Sequence, residues 1–217
     1  MDSVDDSLNR VQTDYVDLYQ SHGFDTSTPI EETLRAFEDL TRTGKVRYVG
    51  CSNYPAWRLG QALSAAKGLN ISGYASVQPR YNLLYREIET ELLPLAQAEG
   101  LGVLVYNPLA GGFLSGKYRS GQAPVEGTRF TLGTAAERYQ ARYWHEAQFN
   151  AVSTLKEVAE SKGLNMVSVA VAWVLRNPAV SSAIIGASRA DQLDANLAAF
   201  EVHFAEELEQ ALSLIHT

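Results

Sequence analysis

Polar side chains suited to a flat, charged ligand recur in this sequence at one kind of place, the end of a run of strand-forming residues. His22 ends "DYVDLYQSH", Ser52 and Asn53 end "VRYVGCSN", and Gln78 lies in "YASVQPRYN". Tyr106 and Asn107 follow "LGVLV", and Ser188 and Arg189 follow "SSAIIGA". One polar residue at a strand end is an ordinary loop residue, but five strands ending this way imply a shared pocket. The side chains suit a nicotinamide dinucleotide. A carboxamide needs donors and acceptors together, which Asn53 and Gln78 offer, and Tyr106 offers a ring to stack on a pyridine. "PLAGGF" lets backbone N–H groups approach a pyrophosphate, since glycine has no side chain to interfere. "GASRADQ" opens a helix, whose N-terminus attracts phosphate. Arg189 beside Ser188 suits a 2′-phosphate, which favours NADP(H) over NAD(H). The chain has no G-x-G-x-x-G fingerprint, so a Rossmann site is not expected.

The elements that must position these residues alternate in texture. Strands are expected at 14–22, 46–53, 74–82, 101–112 (running into a glycine-rich turn) and 181–188. Between and after them, helical patterns cover 29–45, 56–68, 86–100, 148–163, 165–178, 190–200 and 203–216. Leu34, Phe37 and Leu40 share one helical face, and Pro94 is expected near the middle of its helix, at some cost. Residues 113–145 read as a long loop, a length that usually signals function. The pattern is that of successive βαβ units on a parallel sheet, in a single domain spanning residues 1–217. Ligands then bind beyond the carboxyl ends of the strands. An open doubly wound sheet and part of a (β/α)8 barrel both fit. A full barrel takes about 250 residues and eight units, so five units do not close one.

Composition sets outer limits. The 217 residues are 46% hydrophobic and 20% charged, with a net charge of −7. Such a balance supports a sizeable core and argues against nucleic-acid binding through a basic surface. A single cysteine, Cys51, excludes an internal disulfide and suits a reducing, cytoplasmic setting. The opening "MDSVDDSLNRV" is acidic and does not read as a signal peptide. No window has the ~18 apolar residues expected of a membrane span.

Five stretches in order, "DYVDLYQSHGFD", "GKVRYVGCSN", "SVQPRYNLL", "VYNPLAGGFLSGKY" and "IIGASRADQLDANLAAF", resemble the aldo-keto reductase family from about residue 7 to about residue 212. The nearest likeness is to the branch containing potassium-channel β subunits and bacterial reductases. The resemblance implies a (β/α)8 fold and hydride transfer from NADPH to aldehydes and ketones. It implies that His22 is the active-site histidine that orients the substrate carbonyl beside a catalytic tyrosine. It matches Ser52, Asn53 and Gln78 to the carboxamide contacts and Tyr106 to the stacking ring. Asn107, Leu109, Ala110, Gly111 and Lys117 match the turn along the pyrophosphate, with Arg129 reaching in from the loop. Gly186, Ser188, Arg189, Gln192 and Asn196 match the grip on the adenosine phosphate. Ala195 departs from the family, which carries an acidic residue there against the adenine.

A larger departure is expected at the front. The family's first three βα units, with an aspartate, a tyrosine and a lysine that together supply the general acid, have no counterpart here. The chain therefore reads as the C-terminal five-eighths of such a reductase, an incomplete barrel of five βα units with parallel strands. Strands 14–21 and 182–186 would then be open edges, which invite pairing into a homo-oligomer. General acid assistance is worth about 10²–10⁴-fold, so reduction would be slow. The expected activity is that of an impaired NADP(H)-dependent reductase acting on a small carbonyl substrate. A non-catalytic NADP(H)-binding or regulatory module and an inactive truncated product are the alternatives. Cys51 reads as core filler. His145, His203 and His216 read as surface or capping residues. No cluster has metal-ligand spacing. Tyr139, Tyr143, Trp144 and Phe149 read as a packed apolar side in preference to a substrate lid.

Overall fold

The face made by Ile30, Leu34, Phe37 and Leu40 is buried, as helical spacing requires, on a helix α2 (Ile30–Arg42) that starts just after Pro29. These coordinates come from a computed structural model that describes residues 2–213 and 215. They fall into two units, Met1–Pro79 with Glu87–Leu104, and Arg80–Arg86 with Val105–Thr217. The first unit holds α1 (Asp2–Val11), β1 (Val16–Ser21), α2, β2 (Val46–Ser52), α3 (Ala56–Leu69), β3 (Ser76–Gln78), α4 (Leu92–Ala98) and the start of β4 (Gly102–Tyr106). The second holds α5 (Ala136–Tyr143), α6 (Glu146–Ser161), α7 (Met166–Leu175), β5 (Ser182–Ile184), α8 (Asp191–Leu197) and α9 (Glu206–Ser213).

The five strands form one parallel sheet in the order β1-β2-β3-β4-β5, the arrangement of a partial TIM-type barrel. Val16 pairs with Val46 and Ser21 with Cys51; Gly50 pairs with Ser76 and Ser52 with Gln78; Val77 pairs with Val103. This register brings the ends of β1, β2 and β3 level. Gly50 is required for it, since a Cβ there would lie 2.5 Å from Ser76 Oγ.

Several expected elements are corrected. The third strand is short, Ser76–Gln78, because Pro79 has no N–H to continue the ladder. Arg80 rejoins as an isolated bridge opposite Tyr106. The expected helix 86–100 breaks into a 3₁₀ turn at Glu87–Glu89 and α4, which puts Pro94 in a first turn, where its missing N–H costs little. The fifth strand covers Ser182–Ile184 only. Residues 113–145 are not a featureless loop. They contain α5 and a 3₁₀ turn at Gly133–Ala135, folded around Phe113. The rings of Tyr118, Phe130, Trp144 and Phe149 lie within 5.7 Å of the Phe113 ring, centroid to centroid, and Tyr143 within 6.4 Å. Tyr143 is buried, and the partly buried Tyr139, Trp144 and Phe149 pack with it and with Phe113 and Phe130 as one aromatic side. The last helix begins at Glu206; Leu214, His216 and Thr217 lie outside the described residues.

Helix α7 is apolar on every side and accordingly lies in the core of the second unit, with the Trp173 ring packed at a tilt 5.1 Å from that of Tyr81. Its start is set by Asn165, whose side chain accepts from the N–H groups of Val167 and Ser168. Asn165→Ala should lower the unfolding free energy by about 1 kcal/mol, and Asn165→Asp should leave it within about 0.5 kcal/mol. Urea titration followed by circular dichroism measures both.

Candidate functional site

In the first unit, four of the expected residues meet at the level ends of β1, β2 and β3. The Asn53 side-chain amide donates to the His22 carbonyl at 2.9 Å and to Ser52 Oγ at 3.1 Å. Ser52 Oγ donates to the Gln78 carbonyl at 2.7 Å, and the Asn53 backbone N–H reaches the same carbonyl at 3.3 Å. Asn53 takes a left-handed backbone, φ 59, which asparagine tolerates better than other side-chain-bearing residues. The bend turns its side chain back across the strand ends. Ser52 is buried, whereas Asn53 and the His22 imidazole are exposed. His22 thus joins this network through its backbone carbonyl, and its ring faces outward beside the loop that follows.

That loop is tied down by Asp25. Its carboxylate accepts from Ser27 Oγ at 2.6 Å, Thr28 Oγ at 2.6 Å and the Ser27 N–H at 2.8 Å, and these bonds hold it down to about 2. Arg58 Nη2 donates to the Asp25 carbonyl at 3.2 Å. Phe24 packs edge-on against Tyr54, 5.7 Å between centroids. Cys51 is buried core filler, as expected, and desolvation pushes its thiol up to about 12.

In the second unit, β4 delivers Tyr106 and Asn107 into a tight turn. Asn107 (φ 64), Ala110 (φ 50), Gly111 (φ 69) and Gly112 (φ 92) are all left-handed. Asn107 Oδ1 accepts the Gly111 N–H at 2.5 Å, its carbonyl accepts the Ala110 N–H at 3.0 Å, and the Leu109 carbonyl accepts the Gly112 N–H at 2.8 Å. The Leu109 side chain packs on Val171, Ala172 and Ala199, which anchors the turn on α7. Lys117 lies over the turn, since a Cβ on Gly112 would sit 3.4 Å from its Nζ. An exposed ammonium thus stands beside a turn whose Ala110, Gly111 and Gly112 N–H groups are already bonded within it. Arg129 is exposed in the segment beyond.

Beyond β5, Ser188, Gln192 and Asn196 are linked. Gln192 Oε1 accepts from the Ser188 N–H at 2.9 Å and from Ser188 Oγ at 3.3 Å, and its carbonyl accepts from Asn196 Nδ2 at 2.6 Å. Gly186 is exposed close by. Ala195 offers its carbonyl to Ser168 Oγ at 2.7 Å. Arg189 is not a bare cation. Its Nε and Nη2 both donate to the Asp191 carboxylate at 2.9 Å, so a phosphate there must share the guanidinium. Asp191 and Asp194 in the first turn of α8 oppose an anion there.

Sequence reasoning gave no role to Asn82, which is fully buried and donates through Nδ2 to the Asn107 carbonyl at 3.0 Å and to Tyr143 Oη at 3.2 Å. It stands inside a quoted motif, but its burial is a tertiary property. His145 is exposed, with Nε2 donating to the Ala141 carbonyl at 2.7 Å, and His203 is exposed. Among the described residues no cluster of histidine, cysteine or carboxylate side chains could hold a metal, and no single helix is long and apolar enough to cross a membrane.

The family model for the aldo/keto reductase family matches residues 1–213. The chain belongs to the aldo/keto reductase family. Similar proteins include the uncharacterized oxidoreductase YrpG of Bacillus subtilis, 39% identical over 211 residues, covering 97% of this chain and 61% of that protein. A probable voltage-gated potassium channel subunit beta of Arabidopsis thaliana is 40% identical, covering 90% of this chain and 60% of the relative. L-glyceraldehyde 3-phosphate reductase of Escherichia coli is 36% identical, covering 91% and 57%. The chain thus spans about three-fifths of the length of these curated relatives. Aldo/keto reductases generally use nicotinamide cofactors.

A Cβ on Gly111 would lie 2.6 Å from the Tyr139 ring in a left-handed backbone. Gly111→Ala should therefore cost about 2 kcal/mol of stability. Gly121→Ala, also left-handed but with open space around it, should cost about 1 kcal/mol. Thermal unfolding of the two variants measures the difference that the Tyr139 contact makes.

Proposed function

We propose that this aldo/keto reductase chain binds NADP(H) and acts on aldehydes or ketones. The observation that supports the reading is the turn at Asn107–Gly112, where left-handed backbone lies beside the exposed Lys117 ammonium. Asn107, Leu109, Ala110, Gly111, Lys117 and Arg129 would hold the pyrophosphate. Ser52, Asn53 and Gln78 would take the carboxamide, and Tyr106 would stack on the nicotinamide ring. Gly186, Ser188, Arg189, Gln192 and Asn196 would take the adenosine phosphate. Bound NADPH would supply the hydride for a carbonyl carbon.

His22 would orient the substrate carbonyl, its imidazole facing out beside Asn53. Aldehydes are the favoured substrate class, since relatives are named L-glyceraldehyde 3-phosphate reductase and aflatoxin B1 aldehyde reductase member 2. A non-catalytic NADP(H)-binding module is the second reading. It is favoured by the His22 imidazole, to which no described side chain that could act as an acid is hydrogen-bonded. A cytoplasmic setting and a homo-oligomer paired through the outer strands β1 and β5 belong to the same proposal.

Fluorescence titration should show NADPH binding more tightly than NADH. Arg189→Ala should weaken NADPH by about tenfold and NADH by less than about twofold. Equal affinity for the two cofactors, or equal losses, would remove the NADP assignment. Turnover of 4-nitrobenzaldehyde with NADPH above a heat-killed control supports the reductase, and turnover at the control rate supports the binding module.

A further inference from the structure

The buried phenol of Tyr143 is where the segment after β3 and the turn after β4 are joined. Its oxygen accepts two side-chain amide bonds, from Asn82 Nδ2 at 3.2 Å and Asn107 Nδ2 at 3.1 Å. Neither amide is free to flip. Asn82 Oδ1 is taken by the Leu84 N–H at 3.0 Å, and Asn107 Oδ1 by the Gly111 N–H. The bonds therefore run in an unbroken series from Leu84 through Asn82, Tyr143 and Asn107 to Gly111. Burial, the dominant influence, pushes the phenol up despite the opposing Asn82 bond and the Arg80 charge, so the oxygen stays a neutral hydroxyl. The ring is locked on the other side by its packing against Phe113.

This series bears on function because the turn it holds is strained. Four left-handed residues within Asn107–Gly112, two of them not glycine, persist only where surrounding structure holds them. Asn107 is fixed at its side chain by Tyr143 and at its carbonyl by Asn82.

We propose that Tyr143 and Asn82 are positioning residues for the phosphate-binding turn, holding Asn107 so that the left-handed backbone of residues 107–112 keeps its place beside the Lys117 ammonium. The proposal rests on the reading of that turn as the pyrophosphate site, and it makes the aromatic segment around α5 a support for the turn.

Tyr143→Phe removes the oxygen and keeps the ring. Hydrogen exchange should become about tenfold faster at Ala110, Gly111 and Gly112 while α7 is unchanged. NADPH affinity should fall about tenfold, and affinity for 2′,5′-ADP, which lacks the pyrophosphate bridge, should stay within about twofold. Asn82→Ala should give the same pattern, which covers a failure of either variant to fold. Unchanged exchange at the turn would overturn the proposal, as would equal losses for the two ligands. If the wild-type chain binds neither ligand, the cofactor reading of the turn fails, and the exchange rates still decide whether Tyr143 and Asn82 hold it.

Discussion

Two asparagines held in left-handed backbone govern what the carboxyl ends of the strands can do. Asn53 directly follows β2 and Asn107 directly follows β4, with φ of 59 and 64. Each bends the chain sharply as it leaves the sheet, at a cost of about 1–2 kcal/mol. Each recovers that cost through hydrogen bonds of its own side-chain amide. Asn53 gathers the His22 carbonyl and Ser52, and Ser52 in turn engages Gln78. Asn107 gathers Gly111 and Tyr143. Alanine would adopt this backbone less readily and provide none of these bonds, so residue type and conformation are chosen together.

The electrostatics are local. A chain of net charge −7 offers no general attraction to an anion. The cations named here act one at a time, and each is placed differently. Lys117 is exposed, with its ammonium beside Gly112. Arg189 is engaged by Asp191, which fixes the orientation of its guanidinium and reduces its net charge. Being exposed, that pair contributes little to stability.

Much of this was readable in the sequence, for physical reasons. The alternation of strand and helix follows from hydrophobic spacing, and it predicted parallel strands and the buried face of α2. Which polar residues stand at the strand ends was also readable, because the strands end close to where the hydrophobic runs do. Three features were not. Pro79 cuts β3 short, and sequence pattern alone ran the strand on to residue 82. The stretch 113–145 lacks helical periodicity, so α5 was invisible until its aromatic side chains were seen around Phe113. The join between Asn82 and Tyr143 links residues 61 positions apart, and no local pattern encodes it. The bond from Asn53 to the His22 carbonyl is likewise a tertiary contact that no local pattern encodes.

Whether the strand ends and their turns bind a nicotinamide dinucleotide is tested most directly by amide chemical-shift mapping of the isotope-labelled chain titrated with NADP⁺. Saturable shifts should appear at Asn53, Gln78, Asn107, Gly111 and Ser188. The absence of saturable shifts at these residues would contradict the account.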